Sequence, residues 1–239
     1  MRPPIKGFIP NSLLDWEGKI CSIVFLAGCN FRCPYCHASH LVLGAHDLER
    51  IPLDSVLDYL DARVEWVDGV IVSGGEPTLY EGLEELIDRF RGLGLAVRLD
   101  TNGSRPEVLS GLVASGKVQY VALDVKAPLD ERYCRAAGCT VDCQAVGRSI
   151  DFLLSAPVEY EFRTTVCPGL VGAEEIRVMS ERLAGTRRWI LQAFRPLNCI
   201  DPEYRRLPAV GREELLQLAS VARKAVTGVS VRGAGENPS

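Results

Sequence analysis

Lys19-Ile20-Cys21-Ser22-Ile23-Val24-Phe25-Leu26 runs straight into Ala27-Gly28-Cys29-Asn30-Phe31-Arg32-Cys33-Pro34-Tyr35-Cys36-His37, and the fold is read from this junction. The first part is a short apolar, β-branched run with the length and composition of a buried strand. The second is a loop opened by glycine, with three thiols in a C-x3-C-x2-C spacing. A strand that hands reactive side chains to the loop at its C-terminal end is the repeating unit of parallel α/β folds.

The same alternation continues downstream. Further strand-like runs fall at 69–73, 95–100, 119–124, 158–165 and 188–193. Helical patterns lie between them. Val56, Leu57, Leu60 and Val64 make one apolar stripe, and Leu83, Leu86, Ile87 and Phe90 make another. Pro106 opens a third helix carrying Val108, Leu109, Leu112 and Val113. Six such βα units predict an α/β protein whose parallel strands form a partial barrel or a doubly wound sheet. Strand after strand finishes on polar residues: Ser73, Asp100, Asp124, Arg163 with Thr164 and Thr165, and Gln192. Any one of these is ordinary strand-to-loop polarity. Together they form the rim that a ligand mouth needs, which favours a partial (β/α)6 TIM-like barrel.

Composition sets the outer limits. A chain of 239 residues is enough for one domain and short for two, so a single domain over 1–239 is expected, with its core at about 18–196 and a helical C-terminal extension at about 197–239. A net charge of −4 excludes a broad electrostatic grip on nucleic acid or an anionic membrane. The first residues lack the apolar core of a secretory signal, and the 20–27 run is too short to span a bilayer, so a cytoplasmic protein is expected. In that reducing compartment an odd count of 9 cysteines points to metal ligation rather than to disulfides.

Thiolates are soft, strongly donating ligands, and three of them within eight residues can wrap one small inorganic cluster. On a 4Fe–4S cube, three cysteines leave one iron open to an outside ligand, which implies chemistry at that iron. Zinc is the competing metal, with His37 or His40 as a fourth ligand. A structural zinc site wants a second ligand pair at longer span, and none lies in this neighbourhood. Three cysteines by chance is the remaining reading, and the tight spacing speaks against it.

Beyond the cysteines, Ser73-Gly74-Gly75-Glu76-Pro77, Asp100-Thr101-Asn102-Gly103, Asp124-Val125-Lys126, Glu161-Phe162-Arg163-Thr164-Thr165 and Gln192-Ala193-Phe194-Arg195-Pro196 follow in order at strand ends. Some have plain explanations when taken alone. The glycine pair suits a βα turn, with Thr78 and Glu81 as a capping box, and Asn-Gly suits a tight turn. Taken with the cysteines, the set resembles the radical S-adenosylmethionine superfamily in its glycyl-radical-enzyme activase branch. The likeness starts at Gly7-Phe8-Ile9-Pro10-Asn11-Ser12-Leu13-Leu14-Asp15-Trp16 and runs to about Pro196. Within that branch the chain resembles the anaerobic ribonucleoside-triphosphate reductase activating proteins in their longer form. Residues 38–72 hold no cysteine, so the ferredoxin-like insert of many activases is absent.

The resemblance implies that Cys29, Cys33 and Cys36 hold a 4Fe–4S cluster and form the catalytic centre. It implies that Gly74, Gly75 and Glu76 meet the methionine amino group of S-adenosylmethionine. Asp100, Thr101, Asp124 and Lys126 would surround its carboxylate and an associated monovalent cation. Arg163 would lie near the ribose and carboxylate, and Gln192 and Arg195 near the adenosine. Tyr35 and His37 would give backbone contacts to adenine. Arg195 stands where some activases carry histidine, so that position departs from the pattern.

The implied reaction is reductive cleavage of S-adenosylmethionine to methionine and a 5′-deoxyadenosyl radical. A flavodoxin or ferredoxin would supply the electron. The radical would take a hydrogen from a glycine of a partner glycyl-radical enzyme, such as anaerobic ribonucleoside-triphosphate reductase, with Asp15 helping to receive the partner's loop. Two other functions stay open at this point: radical chemistry on a small metabolite or peptide, and a non-catalytic metal-binding regulatory protein. Cys134, Cys139 and Cys143 form a second group, C-x4-C-x3-C, which reads as unliganded thiols in preference to an auxiliary cluster or zinc site. Arg232-Gly233-Ala234-Gly235 has a faint likeness to a glycyl-radical loop but reads as an ordinary C-terminal tail.

Overall fold

A computed structural model describes residues 3–233, so Ala234 and Gly235 of the glycyl-like tail lie outside the described residues. The strands are β1 (Ile5–Ser12), β2 (Cys21–Leu26), β3 (Gly69–Gly74), β4 (Ala96–Thr101), β5 (Tyr120–Asp124), β6 (Glu159–Val166), β7 (Trp189–Ala193) and β8 (Val229–Arg232). The helices are α1 (Ser39–Val42), α2 (Leu53–Asp61), α3 (Leu83–Arg91), α4 (Pro106–Ala114), α5 (Glu131–Ala137), α6 (Cys143–Ser155), α7 (Ala173–Arg182) and α8 (Arg212–Ala222). The expected α/β organisation with parallel strands is present, and β2 to β7 are the six strands read from the sequence.

Contacts divide the chain into two compact units. One holds residues up to Asn30, Ala38–Ala122 and Ala156–Glu159; the other holds Phe31–His37, Leu123–Ser155 and the chain from Tyr160 onward. The strand order in the first is β1-β2-β3-β4-β5. β1 runs antiparallel to β2, with Phe8 opposite Val24. β2, β3 and β4 are parallel, with Val24 beside Val72 and Val72 beside Leu99. Parallel strands put their C-terminal ends on one edge, so the loops after Leu26, Gly74 and Thr101 leave from the same side. In the second unit β6, β7 and β8 lie side by side in that order, with Thr165 beside Gln192 and Leu191 beside Val231, both parallel.

Each unit has a core of its own. Trp16, Cys21, Ile23, Ile71 and Tyr120 pack together in the first, and Leu83, Leu86, Ile87 and Phe90 of α3 are buried as their spacing requires. In the second, Trp189, Phe162, Phe194 and Tyr133 are fully buried, each contributing about 2–3 kcal/mol. Trp189 Nε1 donates to Thr164 Oγ1 at 3.0 Å, which satisfies the indole.

The structure differs from expectation in three places. Ile5–Ser12, ahead of the core expected at about 18–196, forms a strand that was not read from the sequence; its Gly7 and Pro10 hide the alternation that would announce it. The C-terminal extension is not purely helical, since β8 pairs with β7 and adds another βα unit around α8. Val64, expected on the α2 stripe, lies beyond the end of that helix and is exposed. No helix among the described residues is long and apolar enough to cross a membrane.

Candidate functional site

The loop after β3 is shaped by its glycines. Gly74 has φ 118°, and a Cβ on Gly75 would come within 1.7 Å of the Gly28 carbonyl oxygen. Only glycine permits that approach. Gly75 N donates to Leu26 O at 2.9 Å, and Glu76 N donates to Gly28 O at 2.8 Å. The loop therefore lies directly on the backbone that leads to Cys29.

Glu76 is fully buried. Its Oε1 accepts from Thr78 N at 3.0 Å, Thr78 Oγ1 at 2.6 Å and Thr101 Oγ1 at 2.8 Å, while Oε2 accepts from Asn102 N at 2.6 Å. Burial pushes this carboxyl up in pKa, against the downward pull of these hydrogen bonds. Glu76 is also the N-cap of a short 3-10 turn, Pro77–Leu79. That replaces the capping box expected of Thr78 and Glu81, because α3 begins only at Leu83.

Asp100 is held from below by a residue that sequence reasoning missed. Arg98 Nε donates to Asp100 Oδ1 at 2.9 Å, and Arg98 Nη1 to the Asp15 carbonyl at 2.8 Å. The guanidinium is buried and sits 5.1 Å from the Tyr120 ring centroid. Ser73 Oγ donates to the other Asp100 oxygen at 3.2 Å. The available signal was two charges two residues apart in an otherwise apolar strand, hence on one face. The Asp15 side chain accepts from Ser12 Oγ at 2.5 Å.

In the second unit Asp124, Lys126 and Arg163 come together. Lys126 Nζ donates to Asp124 Oδ2 at 2.9 Å, and Arg163 Nε to Oδ1 at 2.8 Å. Burial works against the Asp124 carboxylate, but the two cations outweigh it and lower its pKa from 3.8 to about 2. Burial likewise works against the Lys126 ammonium, and Asp124 outweighs it. Asp124 is thus held between two cations, one on each of its oxygens. Tyr35 Oη is a buried polar atom with no hydrogen-bond partner among the described residues, and Lys126 and Asp124 are among the charges it feels. An unpartnered buried hydroxyl costs about 1–3 kcal/mol, so a ligand group is its natural complement.

The cysteine motif begins in the first unit at Cys29 and continues in the second with Cys33 and Cys36. Cys33 is buried, and Cys29 and Cys36 are half-buried. Cys36 N donates to Cys33 O at 3.0 Å, Arg32 N to Ala137 O at 2.8 Å, and Asp201 N to Pro34 O at 3.0 Å. His37 Nε2 donates to the Arg195 carbonyl at 2.6 Å, and its ring lies 6.4 Å from that of Phe194. Arg195 is exposed and donates to Gly233 O at 3.0 Å. Gln192 lies half-buried between Thr165 and Arg232 in the strand register.

Among the described residues no three His, Cys, Asp or Glu side chains stand close enough to hold a metal ion, the group Cys134, Cys139 and Cys143 included. The fit to an iron–sulfur cluster rests instead on the donor chemistry of three soft sulfurs in eight residues and on the glycine cradle behind Cys29. A cavity of about 320 Å³ lined by Ile5, Ile51, Pro52, Leu86 and Arg89 contains none of these groups.

Comparison with known proteins bears on the family and the fold. A protein-family model of the Radical SAM superfamily matches residues 23–169, a segment that includes the three motif cysteines, Glu76, Asp100, Asp124, Lys126 and Arg163 but stops short of Gln192 and Arg195. A Methanocaldococcus jannaschii protein provisionally named glycyl-radical enzyme activating enzyme is 30% identical over 237 residues, covering 97% of each chain. The crystal structure of Streptococcus suis SuiB bound to S-adenosylmethionine shares the fold, with TM-score 0.66 at 15% identity over 86% of this chain and 48% of SuiB; this chain thus spans about half of SuiB's length. QueE from Escherichia coli shares it end to end, with TM-score 0.54 at 16% identity over 97% of this chain and 94% of QueE. The chain belongs to the Radical SAM superfamily, a family of enzymes that work with a 4Fe–4S cluster and S-adenosylmethionine.

Proposed function

We propose that this enzyme is an activase that installs a glycyl radical on a partner protein. The observation that carries the proposal is the M. jannaschii relative, similar along 97% of both chains rather than over the cluster segment alone. Membership of an enzyme family sets aside the non-catalytic regulatory alternative. Both compact units are read as parts of one functional domain, since the matched family segment runs through both.

When bound, the cluster supplies the electron that breaks a sulfonium bond of S-adenosylmethionine. Cys29, Cys33 and Cys36 are the proposed ligands, and their thiolates belong in a reducing compartment, the cytoplasm. Gly74 and Gly75 offer backbone to the methionine amino group. Lys126 and Arg163 are the cations proposed to meet the carboxylate, and Tyr35 Oη offers a further donor. Glu76 is proposed to meet the cofactor through its backbone, since its buried carboxylate already takes four hydrogen bonds from protein donors. Asp100, Thr101 and a monovalent cation complete the proposed surroundings, with Gln192, His37 and Arg195 toward the adenosine. Anaerobic ribonucleoside-triphosphate reductase is the partner proposed, and a flavodoxin or ferredoxin the electron donor.

The test is electron paramagnetic resonance on anaerobically reconstituted protein mixed with S-adenosylmethionine, dithionite and candidate glycyl-radical proteins. A glycyl doublet on the partner is expected. Formation of 5′-deoxyadenosine with no doublet from any candidate would favour a small metabolite or peptide as the substrate.

A further inference from the structure

We infer that Asn102 is a positioning residue for the cluster: its side-chain amide donates to Cys29 Sγ and raises the potential at which a cluster held there accepts an electron. The inference rests on the proposed role of Cys29 as a ligand and adds to it.

Asn102 is buried, and its amide is oriented on every side. Its Oδ1 accepts from Ser104 N at 2.9 Å, which decides which end of the amide is the nitrogen. Nδ2 carries two hydrogens. One goes to Asn30 Oδ1 at 2.9 Å, and the other has Cys29 Sγ as its acceptor at 3.9 Å. The backbone beneath is fixed too, since Asn102 N donates to the Glu76 carboxylate at 2.6 Å. Asn30 is braced in turn, its Nδ2 donating to Ser104 Oγ at 2.9 Å. The amide therefore cannot turn away from the sulfur without breaking several hydrogen bonds.

The chemistry at the sulfur gives this arrangement its consequence. As a thiol, Cys29 can donate to Asn30 Oδ1, 4.0 Å away. As a metal ligand it is a thiolate, which only accepts, and Asn102 is then the group of this pair that can serve it. An N–H dipole aimed at a ligand sulfur draws off negative charge and favours the cluster state with the extra electron. Neither the cluster spacing nor the Asn-Gly turn assigns this task to Asn102.

The test is the midpoint potential of the reconstituted cluster, read by redox titration with electron paramagnetic resonance, alongside iron and sulfide counts. Wild-type protein is compared with Asn102→Ala, which removes the donor, and Asn102→Asp, which keeps the shape and the Ser104 bond but puts a carboxylate beside the sulfur. Both variants are expected to shift downward, Asp further than Ala. For Asn102→Asp the ratio of reduced to oxidised cluster at the wild-type midpoint should fall about tenfold, equivalent to 59 mV for a one-electron couple. The potential is read from loaded clusters only, so partial loading of a variant leaves the comparison intact. Unchanged or higher potentials in both variants would overturn the inference. Absence of iron from wild-type protein would instead overturn the assignment of Cys29 as a ligand.

Discussion

Glu76 and Asp124 are both acids at the C-terminal ends of strands, and their surroundings satisfy them by opposite means. Glu76 is fully buried among neutral donors: two threonine hydroxyls and two backbone amides occupy its oxygens. Asp124 is half-buried between a lysine and an arginine. Burial raises the pKa of the first, whereas the cations lower that of the second to about 2. A buried carboxylate held by neutral donors ties its own turn to the Thr101–Asn102 backbone, which gives Glu76 the place of a strut in the proposed site. A carboxylate held between two cations keeps those cations at a strand end, where the proposed anionic group of a ligand would meet them. Charge at a strand end is therefore no guide to its role until its partners are counted.

The largest effect that bears on this contrast is expected from Arg163→Met. S-adenosylmethionine affinity should fall at least tenfold, about 1.4 kcal/mol, as measured by equilibrium binding. The fold should lose roughly 2 kcal/mol, less than the 3–5 kcal/mol of a fully buried broken pair, because Lys126 still faces Asp124. Wild-type affinity in this variant would break the distinction between strut and mouth.

Glu76→Gln is expected to act the other way round. An amide cannot accept at both of its ends, so one buried donor is orphaned and stability falls by about 1–2 kcal/mol in urea melts. Cofactor affinity should change much less than in Arg163→Met. A larger loss of affinity than of stability would show that the Glu76 carboxylate touches the ligand after all.

The smallest effect lies in the pH dependence, and its sign separates the two acids. Asp124, lowered from 3.8 to about 2, stabilises the fold above its unfolded pKa and loses that contribution as pH falls through about 2. The loss should be on the order of 1 kcal/mol, allowing for the partial exposure of Asp124. Glu76, with a raised pKa, contributes most below its unfolded value and loses that as pH rises through the folded one. Urea melts of Arg163→Met and Glu76→Gln across the acid range should flatten opposite limbs of the wild-type profile.

The six central strands were legible because each is a short run rich in apolar residues, five of them with polar residues at or near the end, and α3 because its four apolar residues keep helical spacing. β1 and β8 were not, the one interrupted by Gly7 and Pro10, the other only four residues long. At the site, the cysteine spacing and the glycine pair could be read directly, since both are local. The partners of Asp100 and Glu76 could not. Arg98 was passed over inside its strand, and Asn102 was read as half of an Asn-Gly turn. The turn is real, with Gly103 at φ 73°, but the side chain facing Cys29 is set by Asn30, Ser104 and Glu76, which lie far apart in the chain or bind through backbone.

The most direct test of the proposed radical generation at a cluster held by Cys29, Cys33 and Cys36 is the yield of 5′-deoxyadenosine from anaerobically reconstituted protein given S-adenosylmethionine and dithionite. Wild-type protein is expected to form it only when reduced, and Cys33→Ala to form none and to lose its iron. Cleavage by Cys33→Ala at the wild-type rate, or no cleavage by iron-replete wild-type protein, would contradict that chemistry.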